Sequence, residues 1–161
     1  MEHIMNVFLN QAGYEDCEEI QKMQEKSFAQ LLEKYQDFDI NPACESLEII
    51  RKKMAQPFTN YYFIISDNTK VGAVRVVTID ESTKRISPIF ILPEYQNSGY
   101  AKRAMGLIES QNPEVKLWLL DTILQEQKLC HLYESLGYLQ TGEYEDIKDG
   151  MTIAYYEKRV R

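Results

Sequence analysis

Apolar residues recur along this chain first at helical and then at strand spacing. Ile20, Met23 or Gln24, Ser27 or Phe28, Leu31 and Tyr35 fall three to four residues apart, with Glu19, Lys22, Lys26 and Glu33 on the other faces. That period predicts a long amphipathic helix. It begins at Gly13-Tyr14-Glu15-Asp16, whose carboxylates suit a helix N-terminus. An opening strand is expected over 4–9 and a loop over 37–40. Asn41-Pro42 then reads as a cap followed by proline at the first helical position, opening a second helix with Leu47, Ile50 and Met54 inward, up to Gln56-Pro57. The runs 61–66, 71–79 and 85–92 are strand-like and separated by the polar turns 67–70 and 80–84, which predicts an antiparallel meander.

The next stretch, 89–105, is the most informative. A short apolar run ends at Pro93, Gln96 to Gly99 tolerates unusual dihedrals, and a helix over 99–110 buries Tyr100 or Ala101, Ala104, Met105 and Ile108. A strand feeding a turn and a helix start places free backbone N–H groups and the positive end of the helix dipole together, which is a site for phosphate or pyrophosphate. Lys102 and Arg103 add charge in the first turn. Asn112-Pro113 stops that helix, and 115–120 forms another buried strand with Trp118 as core. Leu129, Leu132, Tyr133 and Leu136 mark a last helix capped by Gly137. Strands over 138–144 and 151–157 close as a hairpin across Asp149-Gly150. The order of elements predicts a mixed α/β fold: about seven mostly antiparallel strands flanked by about four helices.

Composition narrows the chemistry. The 161 residues suit one domain spanning 1–161, and 44% hydrophobic content is too high for a disordered chain. Residues 1–13 lack a basic start followed by an apolar core, and no apolar run is of membrane-spanning length, so the expectation is a cytoplasmic protein without a membrane partner. Cys17, Cys44 and Cys130 are widely spaced and read as buried free thiols. His3 and His131 are the only histidines, which disfavours a histidine metal site or a nucleophilic triad. Residues 1–48 hold 11 acidic and 3 basic side chains, whereas the remainder is close to neutral. Such a distribution excludes a basic nucleic-acid surface; it suits either a solvated helix face or attraction of a cation.

Gln96-Asn97-Ser98-Gly99-Tyr100-Ala101 matches the Q/R-x-x-G-x-G/A signature of the GNAT N-acetyltransferase superfamily, and Leu132-Tyr133-Glu134-Ser135-Leu136-Gly137-Tyr138 resembles its second signature. The whole chain resembles the GNAT fold. The resemblance implies acetyl-CoA as co-substrate, with the backbone of Phe90 and Ile91 holding the pantetheine arm and amides of Gln96, Asn97, Ser98, Gly99, Tyr100 and Ala101, beside Lys102, receiving the pyrophosphate. It also implies that the strands 85–92 and 115–120 splay to admit the thioester, that Gln125 stands where the family often has asparagine, and that Tyr133 is the general acid. Read from periodicity alone, Tyr133 is a core residue. No carboxylate lies on 86–92, so a water relay is the expected base, with Asp121, Glu25 and Tyr35 as alternatives. The first two helices and their loop wall the acceptor site in this family, which points to Tyr35, Asp37 and Asp39 contacting a cationic small amine or basic peptide. Family members commonly dimerise, so a homodimer is a further expectation. A non-catalytic CoA-binding sensor on the same fold is the alternative reading.

Overall fold

The computed structural model describes residues 6–160. Seven strands, β1 (Val7–Gln11), β2 (Thr59–Ser66), β3 (Thr69–Asp80), β4 (Thr83–Ile91), β5 (Leu117–Ile123), β6 (Leu139–Lys148) and β7 (Met151–Arg159), form one sheet in the order β1-β2-β3-β4-β5-β7-β6. All neighbours are antiparallel except β4 and β5. Four helices flank it: α1 (Cys17–Tyr35), α2 (Leu47–Ala55), α3 (Tyr100–Gln111) and α4 (Gln127–Ser135). This is the mixed architecture that the apolar pattern predicts.

Two cores hold the layers together. On one face, Ile64, Val74, Val76, Trp118, Leu120 and Tyr156 pack against Ala104, Met105 and Ile108 of α3 and Cys130 and Tyr133 of α4. On the other, Tyr61, Phe63, Ala73 and Phe90 pack under Cys17, Ile20 and Met23 of α1 and Ile50 of α2. Burying a side chain of this size contributes roughly 1.5–3 kcal/mol. The α1 end adds a small third cluster in which Tyr35 meets Ile123 and Met151. This second face is covered by helices over β2 to β4, is exposed at Phe8 of β1, and is left open over much of β5, β7 and β6.

Several expectations are corrected by local chemistry. The first part of the expected 4–9 strand lies outside the described residues, and β1 continues to Gln11. Asn41 caps only a short 3-10 turn, Pro42–Cys44, by accepting from the Ala43 amide; α2 starts later, where the Ser46 hydroxyl accepts from the Ile49 amide. Both meander turns are tight, Asp67-Asn68 and Glu81-Ser82, so the strands are longer than expected. β5 runs through Asp121 and Thr122 to Ile123 instead of ending at Leu120, and β6 continues to Lys148. Cys17 and Cys130 are buried as expected, whereas Cys44 is exposed. Among the described residues, no helix is long and apolar enough to cross a membrane.

The parallel pair is where the sheet opens. β4 and β5 pair only from Thr83↔Leu117 to Arg85↔Leu119, and beyond that point they diverge. Two features prevent the ladder from continuing. Pro88 has no N–H to donate, and the Ser87 carbonyl accepts from Arg75 Nη1 at 3.1 Å. Arg75 also donates to Gln56 Oε1 at 3.2 Å, tying this irregular part of β4 to the end of α2. β4 stays bound to β3 instead, and there the absence of a side chain on Gly72 is required: a Cβ would lie 2.1 Å from the Phe90 carbonyl oxygen.

Candidate active site

The turn after β4 is built from its own residues. Pro93–Tyr95 makes one 3-10 turn, and Gln96 Nε2 reaches back to donate to the Ile91 carbonyl at 2.9 Å. Asn97 and Gly99 both take left-handed backbone, at φ 63° and 85°. Alternating handedness of this kind turns successive amides toward one point, a nest for an anion. Among the described residues no side chain caps α3, and the first amide claimed is that of Arg103, which donates to the Gly99 carbonyl at 3.1 Å. Among the described residues, the amides from Asn97 to Lys102 therefore meet no acceptor. Tyr100 packs edge-on against Tyr95 at 6.5 Å, so it supports the turn from beneath, and Ser98 Oγ donates to the Gln96 carbonyl at 3.5 Å. Unclaimed donors at the positive end of a helix fit a pyrophosphate group.

The cradle opens onto the β4–β5 gap. Because the Leu92 amide donates to the Val71 carbonyl at 2.8 Å, alternation along the strand turns the Ile91 backbone to the open edge and the Phe90 backbone into the ladder with Ala73. Of these two residues, Ile91 offers the free amide, and Phe90 contributes a buried ring that meets Phe28 of α1. Gln125 does not point into the gap. Its carbonyl accepts from the Thr152 amide at 2.9 Å and its amide donates to Thr152 Oγ1 at 3.2 Å, which fastens the loop after β5 to β7.

Tyr133 stands on the helix-covered side of β5, only 7% exposed, between the rings of Tyr138 and Tyr156. Burial pushes its phenol well above the usual tyrosine value, and the charges of Asp121 and Cys130 push the same way. It is a neutral O–H donor throughout the physiological range, and among the described residues that donor has no partner. Cys130 is a packed thiol donating to the Ile123 and Leu124 carbonyls at 3.7 and 3.6 Å, with no activating base bonded to it among the described residues.

On the other side of β5 lies the open face of the sheet. Asp121 pairs in register with Tyr155, beside Arg85 Nη1 at 3.8 Å. Its side chain is 36% exposed. Burial raises its carboxyl above the ordinary range, Arg85 opposes this, and Glu145 adds to it. Tyr155 donates to Glu145 Oε2 at 3.0 Å. Next to this group is a cleft of about 220 Å³ lined by Arg85, Thr141, Glu143, Tyr155 and Glu157. It forms where β6 bulges between Gln140 and Tyr144. None of Arg85, Glu143, Glu145, Tyr155 and Glu157 stands out in the sequence as a site residue; the available signal was polar residues two apart on strands.

The expected acceptor residues are differently placed. The Tyr35 hydroxyl donates to Glu126, which Lys34 also reaches at 2.6 Å. Asp37 is buried and accepts from Asn41 Nδ2 at 3.1 Å, closing the loop after α1. Asp39 is exposed on that loop. Tyr35 and Asp37 are thus held by internal bonds, and Lys148 adds to the brace by donating to the Tyr35 carbonyl at 2.7 Å.

A family model described as "Acetyltransferase (GNAT) family" matches residues 18–138. No curated protein sequence matches the chain. Among solved structures, a spermidine N-acetyltransferase from Vibrio cholerae in complex with CoA and spermine is similar, with a TM-score of 0.75 at 17% identity over 95% of each chain. The ribosomal-protein-S18-alanine N-acetyltransferase from Escherichia coli has a TM-score of 0.76 at 12% identity over 96% of this chain and 94% of its own. PaiA N-acetyltransferase from Thermoplasma acidophilum, in complex with coenzyme A, has a TM-score of 0.73 at 17% identity over 97% of this chain and all of its own. At these identities the likeness is one of fold.

Proposed function

The chain belongs to the acetyltransferase (GNAT) family, and from that premise we propose that it acetylates a cationic primary amine, directly, with both substrates bound together. Acetyl-CoA, the co-substrate of the family, supplies the acetyl thioester. The observation that carries this reading is the run of unclaimed amides from Asn97 to Lys102 at the mouth of the strand gap. Those amides receive the pyrophosphate, the Ile91 amide aligns the pantetheine arm, and Tyr133 donates a proton to the departing sulfur. Holding both reactants in one gap replaces a bimolecular encounter with an oriented one.

The acceptor reading rests on charge and size. Asp121, Glu143, Glu145 and Glu157 lie about the open face of β5, β6 and β7, where Arg85 meets Asp121 and Arg159 meets Glu157, each at 3.8 Å. An acidic hollow of about 220 Å³ suits a small flexible amine better than a folded peptide. The V. cholerae and E. coli neighbours act on a polyamine and on a protein alanine, and the acidic lining favours the first class. Asp39, exposed beside α1, adds to the same attraction, whereas Tyr35 and Asp37 shape the wall. Localisation in the cytoplasm and assembly as a homodimer belong to this reading as well.

Replacing Tyr133 with Phe tests the chemistry. General acid catalysis is typically worth roughly a hundred- to ten-thousand-fold, so Tyr133→Phe is expected to lower kcat by about that factor while leaving the acetyl-CoA Kd unchanged by calorimetry. An unaltered rate of amine-dependent thiol release in Tyr133→Phe would count against the assignment and in favour of a coenzyme-binding sensor.

A further inference from the structure

We propose that the free edge of β6 is a docking strand for a partner: an extended polypeptide segment bearing lysine or arginine, which joins the sheet beside Tyr144, Glu145 and Asp146. The surface is separate from the acetyl-transfer gap and does not depend on the transferase reading. β6 ends the strand order with β7 as its neighbour, and every one of its residues except Ile147 is exposed. An uncovered strand edge presents donors and acceptors with which another chain can pair.

The direction of those groups follows from β7. The Thr152 amide donates to Gln125 Oε1 at 2.9 Å and the Thr152 carbonyl accepts from the Leu124 amide at 2.8 Å, so Thr152 turns its backbone toward β5. Asp146 is the cross-strand partner of Thr152, and Tyr144 that of Ala154, so both β6 residues occupy non-bonded positions of the ladder. Their N–H and C=O groups therefore point away from the sheet. Among the described residues these outward amides meet no loop or side-chain acceptor, whereas the Glu143 amide is taken by Thr141 Oγ1 at 3.1 Å. Irregularities between Gln140 and Tyr144 and between Asp146 and Lys148 bound the stretch. The pairing surface is short and defined.

Charge selects the occupant. Glu143, Glu145 and Asp146 lie on or beside the stretch, and the one cation of the strand, Lys148, is turned away to donate to the Tyr35 and Gln36 carbonyls at 2.7 and 3.0 Å. The free lysine that blunts many sheet edges is missing from this one. A second copy of the chain does not suit the edge: antiparallel self-pairing centred on Tyr144, Glu145 or Asp146 sets carboxylate directly opposite carboxylate, which is destabilising. A homodimer is therefore built on another face. A cationic strand has no such conflict. Its alternate residues place positive charge opposite Glu143 and Glu145, on the face shared with Tyr155, and lay the intervening side chains against Tyr144, which is 51% exposed.

The test uses the whole chain and three peptides of equal length: alternating Lys-Thr, alternating Glu-Thr, and the Lys-Thr peptide with every backbone amide N-methylated, which keeps its charge and loses its donors. Fluorescence anisotropy should show saturable binding of the Lys-Thr peptide and roughly tenfold or greater weakening for the other two. Amide exchange followed by NMR should slow at Tyr144 and Asp146 when the Lys-Thr peptide is bound. Tyr144→Pro, which removes one outward N–H at an edge where proline is tolerated, and Asp146→Lys should each weaken that binding by roughly tenfold. Should Tyr144→Pro fold poorly, Asp146→Lys and the N-methylated peptide decide. Equal binding of the N-methylated peptide would reduce the effect to charge attraction and overturn the docking strand, as would no binding at all. A free chain that sediments as a dimer with those two amides already protected would overturn it in favour of a second copy.

Discussion

Asp121 and Glu126 lie on one short stretch of chain, and their surroundings push them in opposite directions. Burial alone would raise Glu126, but hydrogen bonds from Lys34 and Tyr35 outweigh it and hold the carboxyl below its ordinary 4.5. A depressed carboxylate stabilises the fold above that ordinary value, and the contribution is lost as pH falls through and below it. Glu126→Gln should therefore lower stability at neutral pH by about 1 kcal/mol, or roughly 2–4 °C in Tm, and flatten the loss of stability below pH 4.5 in thermal scans. Asp121 has the opposite sign. Its raised carboxyl disfavours the ionised fold at neutral pH, with relief on acidification. Thermal scans of Asp121→Asn should show a Tm equal to or above that of the unaltered chain at pH 7.

At the scale of elements, the start of α3 and the frame of β3 and β4 decide whether the site exists. Gly99 has φ 85°, and any side chain there is strained by roughly 1–2 kcal/mol. Gly99→Ala should reduce acetyl-CoA affinity at least tenfold by calorimetry, because relaxing the strain turns the Tyr100 and Ala101 amides away from their common focus. Gly72→Ala acts further back. Its Cβ would meet the Phe90 carbonyl oxygen at 2.1 Å, so the strands must separate, at about 3 kcal/mol and roughly 6–12 °C in Tm.

The apolar periodicity revealed all seven strands and four helices, because each buries at least one repeating stripe or belongs to a turn-punctuated hairpin. What it lost were the polar ends. Asp121-Thr122 read as the end of β5, since a charged residue interrupts an apolar run, yet that strand continues across the open face. β6 was shortened for the same reason: as an edge strand it is exposed along nearly its whole length, with no apolar alternation to betray it. The turn with unclaimed amides at the start of α3 was legible because its residues are consecutive and include a glycine. The cleft was not, since Arg85, Glu143, Tyr155 and Glu157 come together only through the order β4-β5-β7-β6. The internal partners of Tyr35 and Asp37 were not legible, because a polar residue at the end of a helix or just after it looks the same whether it meets a ligand or, as here, Glu126 and Asn41.

For the molecule as a whole, the net charge of -7 belongs largely to the first third of the chain, and the acidic strand residues extend it across the open face. Such a field concentrates cations near the gap and is screened by salt. Raising ionic strength from about 0.05 to 0.5 M should raise KM for spermidine several-fold and leave kcat for the bound complex nearly constant, as read by initial rates. An uncharged acceptor analogue should show no such dependence.

The central claim is that one cradle holds acetyl-CoA and delivers its acetyl group to an amine across the β4–β5 gap. Calorimetric titration with acetyl-CoA, followed in the same samples by free-thiol release over polyamines, amino acids and basic peptides, tests it most directly. The expected result is saturable binding, thiol release that requires an amine, and a preference for cationic small amines. Absence of acetyl-CoA binding, or binding with no amine-dependent release, would contradict the account.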